Sequence, residues 1–230
     1  MGRGHRTPGR PARNGPLTAT AGSRGWFARR MDALARDLLG QRIRSTLAGE
    51  TVVGRIVETE AYLGPEDAAS HAATRTGVTD RNRLMFGPAG FAYVYRIYGM
   101  HWCLNVTGGR SVDEVGAVLI RGAEIVEGRP VAARRRGRED HLADGPGKLC
   151  QALAVDGSLG GHDLTTAPLE ILPGDPVPDD RVRRTGRVGI RSAVSWPLRY
   201  LVAGSPGVSR AAVHAGDVSA LPEPLRTDLR

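Results

Sequence analysis

The sequence predicts a single α+β domain built on a mainly antiparallel curved sheet with surrounding helices. Two observations carry that expectation. The runs FAYVYRI (Phe91–Ile97) and HWCLNVT (His101–Thr107) alternate and are rich in β-formers, with only Tyr98-Gly99-Met100 between them. Ahead of them, Met31, Leu34, Ala35, Leu38 and Leu39 recur at helical spacing.

In chain order, residues 1–25 read as a basic, disordered tail, with Pro8, Pro11 and Pro16 among glycines and arginines. The tail dominates the charge. The formal net charge is +8, and residues 1–30 hold seven arginines and no acid, which leaves 8 − 7 = +1 for the rest. The basicity therefore says little about the body of the protein. The domain is expected over residues 26–220, starting near Trp26. Its first helix spans Met31–Leu39 with Gly40 as the C-terminal cap.

Strands are expected at Gln41–Leu47 and Thr51–Thr59, joined by a hairpin turn at Ala48-Gly49-Glu50. Alternation puts Glu58 and Glu60 on one face. Residues 62–86 are polar and irregular, with short helices expected at Glu66–Ser70 and after Thr79; a link this long tends to be functional. After the hairpin at Phe91–Thr107 come a strand at Val115–Ile120 and helices over Glu124–Arg136 and Gly147–Leu153. Strands at Leu169–Leu172, Val188–Ile190 and Leu198–Val202 complete the body, and residues 221–230 are expected to fray.

Several chemistries are excluded. No run approaches eighteen apolar residues, so no membrane span is expected, and no signal peptide is evident. Gly145-Pro146-Gly147-Lys148-Leu149 resembles the end of a P-loop. It lacks the upstream glycine and has Leu149 where a magnesium-binding hydroxyl belongs. The six histidines and two cysteines never fall at metal-ligand spacing, so no metal and no cofactor are expected. Cys103 and Cys150 read as buried free thiols of a cytoplasmic protein, nucleoid-associated in a bacterium.

Polar and aromatic groups instead gather at strand ends: Glu60, Tyr62, His71, Tyr95, Tyr98, Asn105 and Arg121. Four of the five tyrosines lie between Tyr62 and Tyr98. Aromatic walls around a carboxylate suit a planar ring, above all a cationic one. Singly, each residue has an ordinary alternative: Glu60 a solvated strand-end acid, His71 a surface histidine, Arg121 an ion-pair partner, Tyr93 sheet packing, and Arg134–Arg138 a solvated helix face.

The segments GRIVETEAYLGPEDAASHA, RNRLMFGPAGFAYVYRIYGMHWCLNV, VLIRGAE and GPGKLCQAL together resemble the alkyladenine (3-methyladenine) DNA glycosylase family, in family order from about Leu34 to Ser205. The resemblance implies that Glu60 is the general base activating water and that Arg121 helps hold that water. Tyr62, His71 and Tyr95 match the pocket for a flipped base. Asn105 matches an asparagine that crowds an exocyclic 2-amino group. Tyr98 matches the side chain that enters the minor groove, and Met100 lies beside that wedge. The implied partner is double-stranded DNA containing damaged purines, acted on by a monomer. Arg96 and His101 depart from the pattern by flanking the tip with basic groups, and the match around Val188–Ser192 is loose. An amine nucleophile for lyase chemistry could come only from Lys148, the single lysine, which reads as part of a buried helix start, so a water-using monofunctional mechanism is expected. The rivals are an inactive DNA-binding homologue and a small-molecule hydrolase on the same fold.

Overall fold

The computed structural model describes residues 20–73, 77–110, 114–212 and 214–228. The tail expected over residues 1–25 lies mostly outside them. What is described begins with a short helix α1 (Arg24–Phe27) that buries Trp26 and Phe27. Helix α2 (Met31–Leu38) buries Met31, Leu34, Ala35 and Leu38 against the sheet. It stops one residue earlier than its periodicity suggests, because Leu39 is extended and Gly40 turns at φ +87°. Any side chain at Gly40 would meet the Asp175 carbonyl at 2.0 Å, so only glycine fits this cap.

Eight antiparallel strands form one sheet: β1 (Arg42–Ser45), β2 (Val52–Tyr62), β3 (Ala92–Ile97), β4 (His101–Thr107), β5 (Ala117–Glu127), β6 (Leu169–Leu172), β7 (Val182–Thr185) and β8 (Arg199–Val202). The order is β3-β4-β5-β2-β1-β6, with β8 joining β2 and β7 joining β8. Strand β2 is the axis. It pairs with β5 along one edge, while its other edge pairs with β1 over Val52–Arg55 and then with β8 over Glu58–Glu60. Register shifts on either side of Glu58 leave Val57 on β2 and Arg121 on β5 without cross-strand partners. Bulges of this kind bend a sheet and re-aim the side chain they carry, and here the sheet curls so that one face is concave.

Three expectations are corrected. The strand at Val115–Ile120 begins at Ala117 and runs on to Glu127, where the sequence suggested a helix; pairing with β2 as far as Val53↔Glu127 overrides the helical text. Helix α3 therefore covers only Arg129–Arg136, after Gly128 at φ +73°. Residues Val188–Ile190 are not a strand, since the Val188 N–H is spent on the Glu60 carboxylate at 2.7 Å instead of a ladder. The strand lies just before, as β7, in polar text that gives no apolar signal. Finally, Glu66–Ser70 forms turns around Asp67, whose carboxylate accepts from the Leu63 and Ala69 amides at 3.0 and 3.1 Å. The helical element expected after Thr79 is a 3₁₀ turn at Arg83–Phe86.

Helix α4 (Pro146–Leu153) packs on β4 and α3, and a last helix α5 covers Glu223–Asp228 in the segment expected to fray. Lys148 on α4 is half-buried rather than buried, with Nζ 3.0 Å from Asp144 Oδ1. Cys103 and Cys150 are buried free thiols, as expected. Within the Arg134–Arg138 cluster, Arg134 pairs with Glu50 and Arg135 donates to the carbonyls of Leu47 and Ala152. Among the described residues no helix is long and apolar enough to cross a membrane.

Candidate active site

Side chains two apart on a strand share a face, and four neighbouring strands use that rule to build one wall. Glu60 and Tyr62 come from β2, Ala117, Leu119 and Arg121 from β5, Cys103 and Asn105 from β4, Tyr93 and Tyr95 from β3. The registers Glu60↔Leu119, Asn105↔Leu119, Tyr93↔Asn105 and Tyr95↔Cys103 bring them together. The loop carrying His71 and Arg81 and the segment 188–192 close the other sides of a cavity of about 410 Å³. That volume lies within the range of small-molecule pockets. Tyr62, Tyr95, Asn105 and Arg121 from the sheet and His71 from the loop thus line one cavity, and Glu60 lies behind its wall without lining it.

Glu60 has no exposed surface. Its Oε2 accepts from the Tyr62 hydroxyl at 2.8 Å and faces Arg121 Nη1 at 3.4 Å, while Oε1 accepts from the Val188 amide at 2.7 Å. All three donors line the cavity. A carboxylate offers about four lone-pair positions, so about one, on Oε1, is left open. Burial and the adjacent Glu60 carboxylate hold the Tyr62 phenol well above its ordinary range, so it stays a donor.

Glu58, also fully buried, is committed elsewhere. Its Oε1 takes Arg121 Nε at 2.9 Å, Arg199 Nε at 2.8 Å and Ser209 Oγ at 2.9 Å, and its Oε2 takes the Ser209 amide at 2.6 Å. Glu58 thus holds four donors, two of them arginines, against three at Glu60, and none of its contacts except Arg121 lines the cavity, which separates two glutamates that share a face. Burial alone would weaken the Arg121 guanidinium, but Glu60 and Glu58 outweigh it and raise its pKa. Arg121 is pinned through Nε and presents Nη1 to Glu60.

The aromatic side is interlocked. The His71 ring meets Tyr95 edge-on with centroids 4.8 Å apart, and His71 Nδ1 lies 2.7 Å from the Tyr93 hydroxyl. Asn105 Nδ2 donates to the Tyr93 carbonyl at 2.9 Å. Burial pushes Tyr93 up to about 12 and Tyr95 higher still. The Asn82 side chain donates to the carbonyls of His71 and Gly77 at 3.0 and 3.1 Å, which fixes the loop under the histidine.

Tyr98 and Met100 do not reach the cavity. They lie at the turn beyond Ile97, 79% and 69% exposed. Both central residues of that turn have positive φ, Tyr98 at +52° and Gly99 at +69°, the geometry favoured in tight hairpins. A bulky residue in that region is strained, and a large apolar pair left in solvent beside a cavity marks a contact surface.

Residues 25–206 match the family model described as Methylpurine-DNA glycosylase (MPG). The chain belongs to the methylpurine-DNA glycosylase family. Relatives agree along most of the length. A Myxococcus xanthus protein named "Putative 3-methyladenine DNA glycosylase" is 44% identical over 191 residues, 80% of this chain and 91% of the relative. Proteins of the same name from Methanoculleus marisnigri and Rubrobacter xylanophilus are 45% and 48% identical, over 80% and 73% of this chain and 96% and 86% of theirs.

Two further residues, Tyr93 and Arg187, hold groups of the cavity in a way that the sequence did not predict. Tyr93, expected to be packing, supports His71. Its signal was present, since it alternates with Tyr95 and lies opposite Asn105. Arg187 gave none. It is fully buried, donates to Asp67 at 2.5 and 2.8 Å and to the Ala61 carbonyl at 2.9 Å, and lies 4.8 Å from the Tyr62 ring centre. Its partners are more than a hundred residues away.

The pocket histidine makes a pH prediction. Burial, then the Arg81 charge, lowers the His71 pKa from 6.5. A histidine with a depressed folded pKa contributes stability above the unfolded value and loses it as pH falls below about 6.5. Melting temperature should therefore drop on acidification from pH 7 to 5. His71→Gln should make that slope shallower; an unchanged slope would show that His71 does not set it.

Proposed function

We propose that the protein excises alkylated purines, 3-methyladenine above all, with hypoxanthine and etheno-adenine as further candidates, from double-stranded DNA by hydrolysing the N-glycosidic bond. The carrying observation is that the buried Glu60 carboxylate is held by three donors, from Tyr62, Arg121 and Val188, that all line the aromatic cavity, so that it lies directly behind the cavity wall.

A purine inside a duplex cannot reach such a cavity, so it must turn out of the stack. Tyr98, at the exposed turn beyond β3, enters the vacated space with Met100 beside it, and the base enters between Tyr62, His71 and Tyr95. Asn105 on the pocket wall disfavours an exocyclic 2-amino group. As the C1′–N9 bond lengthens the sugar gains oxocarbenium character, and Glu60 stabilises it and takes the proton of water. Arg121 orients that water while its own direction is fixed by Glu58. Lys148, paired with Asp144, is not offered to the cavity as an amine, which supports hydrolysis without a covalent sugar adduct.

The test is a duplex oligonucleotide with one lesion, incubated with the protein and followed by alkaline strand cleavage. Base release is expected, and a strand break before alkali would contradict the monofunctional mechanism. The wedge is tested by Tyr98→Asn. Asparagine suits the left-handed turn better than tyrosine, so the hairpin should persist while affinity for lesion DNA falls about tenfold, the loss of one stacking side chain. Unchanged affinity would remove Tyr98 from the interface.

A further inference from the structure

The charges in and behind the cavity cancel in pairs. Arg187 faces Asp67, Arg199 and Arg121 face Glu58, and Arg121 also faces Glu60. Three arginines stand against three carboxylates, so the buried set contributes no net charge. Two further arginines, Arg81 and Arg191, line the same cavity, and neither makes an ion pair among the described residues. Arg81 lies with its guanidinium carbon 5.7 Å from the Tyr95 ring centre. Its neighbour Asn82 is buried and bonded to the His71 and Gly77 carbonyls, which holds Arg81 at the rim. Its charge is felt inside, since it opposes protonation of His71 and favours the charged form of Tyr93. The cavity therefore has a surplus of positive charge at its mouth.

That surplus is unexpected for a site built around cationic bases, and it answers a gap in the chemistry. A cationic alkylpurine leaves as a neutral molecule and needs no help. A neutral purine lesion that is not protonated first leaves with the bonding electron pair and becomes an anion, and among the described residues no carboxyl group lines the cavity. Resting on the glycosylase reading above, we propose that Arg81, assisted by Arg191, is a specificity-determining residue that stabilises the anion formed when a neutral purine departs.

The step balances. The C1′–N9 bond breaks with its electrons going to the purine, water oxygen bonds to C1′, and Glu60 takes the water proton. The purine anion is held beside Arg81 until it gains a proton from Glu60 or solvent, which restores the carboxylate. Fixed charges directed at developing charge are the strongest catalytic device available to a site of this kind. Arg81 is exposed, so solvent screens it and its effect is smaller than that of a buried donor.

The experiment compares single-turnover excision at saturating protein from two duplexes differing only in the lesion, neutral hypoxanthine or cationic 7-methylguanine. Arg81→Gln should slow hypoxanthine release about tenfold and 7-methylguanine release less than about twofold, an order of magnitude set by a screened charge against a full oxyanion donor. Arg81→Lys, which keeps the charge, should recover most of the lost hypoxanthine rate, and raising salt should lower the hypoxanthine-to-7-methylguanine rate ratio in the wild type but not in Arg81→Gln. Because both duplexes share one backbone, any loss of phosphate contact cancels in the ratio. Equal slowing of both lesions, no slowing of either, or wild-type release of 7-methylguanine alone would overturn the proposal while leaving the glycosylase reading intact. Release of neither base by the wild type would overturn both.

Discussion

Glu60→Gln is expected to lower the rate of base release about a thousandfold, within the 10²–10⁴ range of a lost general base, with duplex binding nearly unchanged. An amide cannot take the proton of water. The substitution also creates a local mismatch, because both carboxylate oxygens face donors: Tyr62 and Arg121 at Oε2, Val188 at Oε1. The new NH₂ must meet one of them. The Tyr62 hydroxyl can rotate to accept, whereas Arg121 and the Val188 amide cannot, so the amide nitrogen should turn toward Tyr62. The cost is about 1–3 kcal/mol for a buried donor left unmatched, and the fold survives it. Single-turnover kinetics on a lesion duplex, with a gel-shift on the same duplex, separates the two effects. A rate within tenfold of the wild type would exclude Glu60 as the base.

Asp67→Ala should produce the largest loss of stability. The Arg187–Asp67 pair is fully buried on both sides, and removing one partner of such a pair costs about 3–5 kcal/mol because the other charge stays behind. In a domain of this size that lowers the melting temperature by roughly 6–20 °C. The damage should reach the site as well, because Asp67 also accepts the Leu63 and Ala69 amides that shape the loop leading to His71. The double variant Asp67→Ala/Arg187→Met should recover part of the stability, since no unpaired charge remains. If the double variant were no more stable than the single one, the pair would not be the source of the loss. Calorimetry or circular-dichroism melts of the three proteins decide it.

Legibility from sequence followed the range of the interactions involved. Alternation on β2 and β3 gave the shared face of Glu58 and Glu60 and the tyrosine wall, because period two is a local property. The turn at Tyr98-Gly99 was legible for the same reason. What alternation could not tell was which glutamate is committed. That depends on Ser209 and Arg199, about 140–150 residues away, whose donors occupy Glu58. The segment 188–190 differs from expectation because Val188 and Ile190, two β-branched residues, carry no sign that a carboxylate claims the Val188 amide. The long β5 was cut short because the text of Glu124–Arg136 favours a helix locally, and only the ladder with β2 reveals otherwise. Arg187 behind the cavity and Arg81 on its wall gave no sign of themselves in a chain where arginine is the default cation.

The change of partner along β2 has a consequence for how the protein could diverge. Glu58 and Glu60 lie where the strand is held on both edges, by β5 and β8, and any shift there would disturb two ladders at once. Among the described residues, the cavity's other walls, at Ala68, Ala69, His71, Arg81, Met85 and residues 188–192, belong to no ladder. Substitutions in those walls can reshape what the cavity admits without moving the atoms that break the bond. On the proposed reading the chemistry at Glu60 is frozen by its neighbours, whereas the loop share of selectivity, unlike that of Asn105 on β4, is free to drift with the lesions a genome suffers.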